Sequence, residues 1–113
     1  MVGDVARDGY TDAVLDLVDH VPPGRATTYG DIAEVLRDAG WGGGPRTVGA
    51  VMARHGAVVT WWRVVRADGG LPLCDPVAAL ARHRSEGTAL TRSGRVDLGA
   101  ARAVLPAGPA PPG

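Results

Sequence analysis

Apolar residues at Tyr10, Val14, Leu17, Val18 and Val21 recur at three- and four-residue steps, the spacing of one face of an amphipathic helix. Val21-Pro22-Pro23-Gly24 ends that helix, because proline cannot continue it and glycine bends the exit. A second helix is predicted from Thr28. The threonine suits the N-cap, and Asp31 three residues later imitates a capping box. Ile32, Val35 and Leu36 supply the buried stripe, and Gly40 the stop. After the tight turn Trp41-Gly42-Gly43-Gly44, Pro45 fits the first position of a third helix whose apolar face is Val48, Val51 and Met52. Two short helices across a glycine turn form a helix-turn-helix pattern, one that any helical hairpin shares.

Beyond it the pattern changes. Val58 to Val65 is rich in valine and tryptophan, which favours extended structure. Asp68-Gly69-Gly70 reads as a turn. Val77 to Arg84 suggests one more helix, stopped by Gly87, and Leu90 to Val96 a small hairpin around Ser93-Gly94. The expectation is a mainly α fold with small β elements: a single winged helix-turn-helix-like domain over residues 1–105, with a frayed Pro/Gly-rich tail over 106–113. No internal repeat is visible.

At 113 residues and 45% hydrophobic, the chain suits one domain with one core. No apolar run approaches the roughly 20 residues of a membrane span, and no charged-then-apolar leader opens it. Cys74 is the only cysteine, which excludes an intrachain disulfide and a cysteine zinc cluster. A reducing, cytoplasmic setting is expected, with no metal and no cofactor.

Formal net charge is zero, with 12 basic and 12 acidic residues, but the distribution is uneven. Residues 1–24 carry Arg7 against Asp4, Asp8, Asp12, Asp16 and Asp19. In residues 25–66 the balance reverses, Arg25, Arg37, Arg46, Arg54, Arg63 and Arg66 facing Asp31, Glu34 and Asp38. All basic residues are arginine. Local fields set a contact more than the total does, so the middle third can meet a polyanion; ordinary surface charge explains the same numbers.

Three ordered motifs sharpen the picture. The stretch Val21-Pro22-Pro23-Gly24-Arg25-Ala26-Thr27-Thr28-Tyr29-Gly30-Asp31-Ile32-Ala33 resembles the start of the DNA-binding domain of O6-alkylguanine-DNA alkyltransferases. Pro45-Arg46-Thr47-Val48-Gly49 is similar to that family's Arg-Ala-Val-Gly motif. Thr60-Trp61-Trp62-Arg63-Val64-Val65 falls where the family carries Pro-Cys-His-Arg-Val, and Asp68-Gly69-Gly70-Leu71 follows. The match runs from about Tyr10 to Leu71, with an echo at Glu86-Gly87. On this alignment Trp61 replaces the nucleophilic cysteine and Trp62 its histidine partner. Alkyl transfer needs a thiolate activated by a neighbouring base, and an indole is neither nucleophile nor proton acceptor. Glu86 resembles the relay's remaining carboxylate, with nothing left to orient. The pattern looks like the alkyltransferase-like subgroup. Its members bind alkylated DNA without repairing it and pass the lesion to nucleotide excision repair.

The resemblance implies roles residue by residue. Arg46 is the finger that fills the gap left by an extruded base, a task suited to a planar, permanently charged group. Tyr29 lines the base pocket and crowds the flipped nucleotide's phosphate. Thr11 touches a phosphate. Thr47, Gly49 and Ala50 keep one face of the third helix low for the minor groove, although close helix packing asks for the same small residues. Trp61 is the pocket wall, with Met52 and Val64 as apolar neighbours; core packing is the competing role for these two and for both tryptophans. Arg63 either braces the loop by a salt bridge or touches phosphate. His55 stands where the family usually has a loop-bracing asparagine. Pro72-Leu73-Cys74-Asp75-Pro76 departs from the family's lid, so no lid contact is expected.

The implied partners are double-stranded DNA containing O6-alkylguanine and nucleotide excision repair proteins, with no membrane and a monomeric chain. The rival readings are a winged-helix regulator of undamaged DNA and an active alkyltransferase using Cys74.

Overall fold

The computed structural model describes residues 9–112. The first part of the acidic N-terminal stretch, and the segment in which a leader was sought, lie outside the described residues. The fold is mainly helical: α1 (Gly9–Asp19), α2 (Tyr29–Asp38), α3 (Pro45–His55), α4 (Pro76–Glu86) and the single-turn α5 (Leu98–Ala101), with β1 (Thr27–Thr28) and β2 (Val64–Val65). No helix among these residues is long and apolar enough to cross a membrane.

The local signals explain the helices. Val14, Leu17 and Val18 of α1 are fully buried against Ile32 and Leu36 of α2 and Val48 of α3. Thr28 caps α2, its Oγ1 accepting from the Asp31 amide at 2.9 Å. Such a cap contributes about 1 kcal/mol. Pro45 opens α3, where its missing N–H is no loss. Gly87 closes α4 at φ 75°, a left-handed conformation that favours glycine. A short glycine-rich turn joins α2 to α3.

Two departures from the expectation matter. The segment 58–65 is not one strand. Gly56–Val58 and Trp61–Arg63 are short 3-10 turns, and only Val64–Val65 is extended. β2 pairs in parallel with β1, Thr27 opposite Val64 and Thr28 opposite Val65. This ties the start of α2, and so Tyr29, to the residues that follow the tryptophans. A smaller core of Ala26, Val65, Val96 and Ala101 lies beyond this pairing. The expected hairpin at 90–96 reduces to one antiparallel bridge, Leu90 to Val96.

The C-terminal segment is the second departure. Expected to fray, it instead lies along α1 and α2. Leu105 packs on the main core, and the Pro109 carbonyl accepts a 2.6 Å hydrogen bond from Trp41 Nε1. Trp41 in turn meets Tyr10 edge-on, ring centroids 5.7 Å apart. An indole N–H beside an apolar core needs an acceptor, and the tail supplies one.

Candidate nucleic-acid interface

Three elements converge on one cavity of about 290 Å³. Tyr29 enters from the first turn of α2. Gly49, Met52 and Ala53 come from one face of α3, their three- and four-residue spacing placing them together. Trp61 enters from the 3-10 turn, and Arg66, Pro72, Leu73 and Cys74 complete the wall. The lining is mostly apolar and aromatic, which suits a flat, partly apolar guest. Trp61 is half-buried and belongs to neither core cluster. Burial pushes the Tyr29 hydroxyl pKa up and Cys74 adds to it, while Arg66 pulls the other way; the phenol is therefore a neutral donor at pH 7.

Trp62 does something else. Its ring stands at 88° to that of Trp61. Its Nε1 donates to Glu86 Oε2 at 2.9 Å, and the Arg82 guanidinium lies over its face, 4.6 Å from the centroid. Arg63 completes the clamp: Nε and Nη2 donate to the two Glu86 oxygens at 3.1 and 2.7 Å, and Nη1 donates to the Val21 carbonyl at 2.9 Å. Gly24 N also donates to Glu86, at 3.3 Å. Three residues earlier on α4, His83 is fully buried. Its Nε2 donates to the Trp62 carbonyl at 2.7 Å, and Nδ1 accepts from Thr88 Oγ1 at 2.9 Å. Burial holds the His83 pKa below its ordinary value, consistent with this neutral tautomer. Glu86 and His83 therefore fix the Trp61–Arg63 turn from behind, and the expectation of a purposeless Glu86 is corrected.

The other expected site residues divide. Met52, Gly49, Tyr29 and Trp61 meet at the cavity. Val64 does not: it is fully buried in the main core, where β pairing with Thr27 places it. Arg63 is held on the inner side by Glu86 and Val21, with all three guanidinium nitrogens engaged in bracing the loop. Thr11 is buried, and with Thr47, Ala50, Arg54 and His55 it lines a separate cleft of about 250 Å³ between α1 and α3. Thr47 Oγ1 accepts from the Gly44 amide at 3.3 Å, so it also caps α3. Arg46 is exposed in the first turn of α3 and makes no hydrogen bond or ion pair among the described residues.

Sequence reasoning missed Ala53, Arg66 and the segment Pro72 to Cys74. Ala53 was legible as the residue four after Gly49. The 72–74 segment was set aside because its composition departs from the family lid, yet the turn at 68–70 carries it back over the cavity. That turn is tight: a Cβ on Gly69 would overlap the Val96 carbonyl oxygen.

Gly49 offers a check on the wall. A Cβ there meets no atom within 4 Å. Gly49→Ala should therefore raise the melting temperature by a few degrees, helix propensity contributing about 1 kcal/mol. Gly49→Leu should weaken binding to a damaged duplex instead. Thermal melts and fluorescence anisotropy separate the two effects.

Comparison with known proteins agrees with this geometry. Residues 9–87 match the family described as 6-O-methylguanine DNA methyltransferase, DNA binding domain. A DNA base-flipping protein of Escherichia coli K12 is 35% identical over 96 residues, spanning 81% of this chain and 72% of the relative. One from Shigella flexneri matches equally. Among solved structures, S. pombe Atl1 in complex with damaged DNA containing O6-carboxymethylguanine superposes with a TM-score of 0.68 at 25% identity, over 88% of this chain and 99% of that one. The chain belongs to the 6-O-methylguanine DNA methyltransferase DNA-binding-domain family as an alkyltransferase-like protein.

Proposed function

We propose that the protein is a non-enzymatic sensor that extrudes O6-alkylguanine from duplex DNA into the Trp61 cavity and marks the site for nucleotide excision repair. The observation that carries this reading is the cavity itself, walled by Tyr29 and Trp61 and bordered by the helix that bears Arg46. The base-flipping relatives and the damaged-DNA complex of the structural neighbour support it.

In this reading Arg46 enters the duplex and fills the vacated stack, and Tyr29 turns the nucleotide. Flipping costs a few kcal/mol, least for a badly paired base. Alkylation at O6 weakens pairing to cytosine, so the lesion lowers its own extraction cost. Trp61 then stacks on the base. A nucleophile is missing where the family keeps one, so the complex persists as a signal.

Anisotropy with one duplex carrying guanine or O6-methylguanine at a single site tests the reading. The damaged duplex should bind more tightly. Arg46→Ala should weaken that binding by roughly 5- to 100-fold, the scale of one lost stacking interaction. Equal affinity of the unmutated protein for both duplexes would favour a regulator of undamaged DNA.

Cys74 gives a second reading its specific observation, since it lines the same cavity. Transfer would form a bond from its sulfur to the alkyl carbon as the carbon–O6 bond breaks. Among the described residues no histidine or carboxylate lines that cavity to take the thiol proton, so no alkyl mass should appear on the protein after incubation with the lesion.

A further inference from the structure

Of residues 40–44, which lead from α2 into α3, only Trp41 carries a side chain; the others are glycine. Glycine restricts its own backbone least, so a turn of this composition does not by itself fix where α3 begins. Arg46 stands in the first turn of α3 and moves with it. The C-terminal segment supplies the missing restraint, beginning at the other end of α2. There the Ala26 amide donates to the Ala101 carbonyl at 2.9 Å, and the Ala103 amide to the Ala26 carbonyl at 2.8 Å. Arg102 Nη1 donates to both Asp31 oxygens, at 2.7 and 2.6 Å. Leu105 then packs on the main core. Gly108 lies so close to α2 that a Cβ on it would stand 3.1 Å from Leu36 and 3.3 Å from Val35. Beyond it the Pro109 carbonyl takes the Trp41 indole N–H at 2.6 Å, and Pro111 lies 3.4 Å from where a Gly40 Cβ would be.

The segment thus runs the length of α2 and is fastened at both ends, one beside Tyr29 and the other beside the glycine turn. Three of residues 109–112 are proline, which limits the freedom lost in laying it down. We propose that residues 102–112 are a strap and that Trp41 is a positioning residue, through which the strap sets where Arg46 stands relative to Tyr29. Trp41 is gripped by Pro109 on one side and meets Tyr10 edge-on on the other, so the path of the turn is fixed before DNA arrives. A finger already in place loses less conformational entropy on entering the duplex. This rests on the reading that Tyr29 and Arg46 act together on one nucleotide.

The test uses the full chain and two substitutions. Trp41→Phe keeps an aromatic ring and removes the N–H. Gly108→Leu lifts the strap from α2 and alters neither the turn nor the cavity wall. Affinity for duplexes carrying guanine or O6-methylguanine is measured below the melting temperature of each variant. Each variant should bind the damaged duplex about threefold to tenfold more weakly, the scale of one lost hydrogen bond, with less change on the undamaged one. Amide hydrogen exchange should rise across residues 40–47. Repeated in an Arg46→Ala background, the same substitutions should leave affinity within about twofold, because the finger they position is gone. Lesion affinity that both variants leave intact overturns the proposal, as does unchanged exchange across 40–47. A loss that persists in full with Arg46→Ala, or falls equally on the undamaged duplex, would assign the strap to overall stability and also overturn it. If instead the unmutated protein bound both duplexes equally, or Arg46→Ala bound the lesion as well as the unmutated protein does, the flipping reading itself would fail and take this proposal with it.

Discussion

Replacing Trp61 with alanine should weaken binding to an O6-methylguanine duplex by roughly 5- to 100-fold, the equivalent of about 1–3 kcal/mol of base stacking. The melting temperature should fall by only a few degrees. The asymmetry follows from where the indole stands: half-buried, on the cavity wall and outside both core clusters. Trp62→Ala should behave in the opposite way, although the two residues are adjacent. It removes the Nε1 bond to Glu86 and the face beneath Arg82, leaving a half-buried acceptor short of a donor. That costs about 2–3 kcal/mol of stability, and binding follows only through misplacement of Trp61. Paired thermal melts and anisotropy on the two variants distinguish wall from brace. Lesion binding by Trp61→Ala at the unmutated level would remove the indole from the site.

Where the determinant is local, the sequence was readable. The stripe of α1, the Thr28 cap, Pro45 at the start of α3 and Gly87 at the end of α4 each depend on a few neighbouring residues, and each stands where expected. The 3-10 turn at Trp61–Arg63 was not readable in this way. Valine and tryptophan favour strand, but Glu86 and His83, more than twenty residues away in sequence, hold the turn through tertiary bonds. Helix α4 was foreseen, and its grip on the turn was not. Val64 was misplaced for the same reason: its partner Thr27 lies far back in the chain. The tail was read from composition as free, while its anchor, Trp41, is 68 residues earlier. At the cavity, the motif pointed to Tyr29, Met52 and Trp61, while Gly49, expected on the groove-facing side of α3, lines it as well. Arg66 escaped because it reaches the cavity wall with its guanidinium close over Gly70, which is a property of the folded turn.

Glu86→Ala should be the most destabilising of these substitutions, by about 2–4 kcal/mol, because it strands donors that have little water to turn to. Arg63 and Glu86 side chains are only 11% and 13% exposed, so solvent screens the pair weakly. The pH dependence provides an independent check. Burial alone would raise the Glu86 pKa, but hydrogen bonds from Arg63, Trp62 and the Gly24 amide outweigh it and hold the carboxyl below its ordinary 4.5. A carboxyl depressed on folding stabilises the protein above its unfolded value, and that contribution disappears as pH falls through the folded one. His83 acts in the same direction from higher pH. Burial holds it below 6.5, so the unfolded chain takes up its proton first and stability begins to fall as pH drops beneath that value. Chemical denaturation across pH should therefore show stability declining in two stages, the first from His83 and the second from Glu86. Glu86→Gln should flatten the second stage and deepen the first, because it removes both the titrating carboxyl and the negative charge that favours protonated His83. If Glu86→Gln retained the full acid limb, carboxyls other than Glu86 would carry the second stage, and the Arg63–Trp62–Glu86 clamp would contribute little to stability.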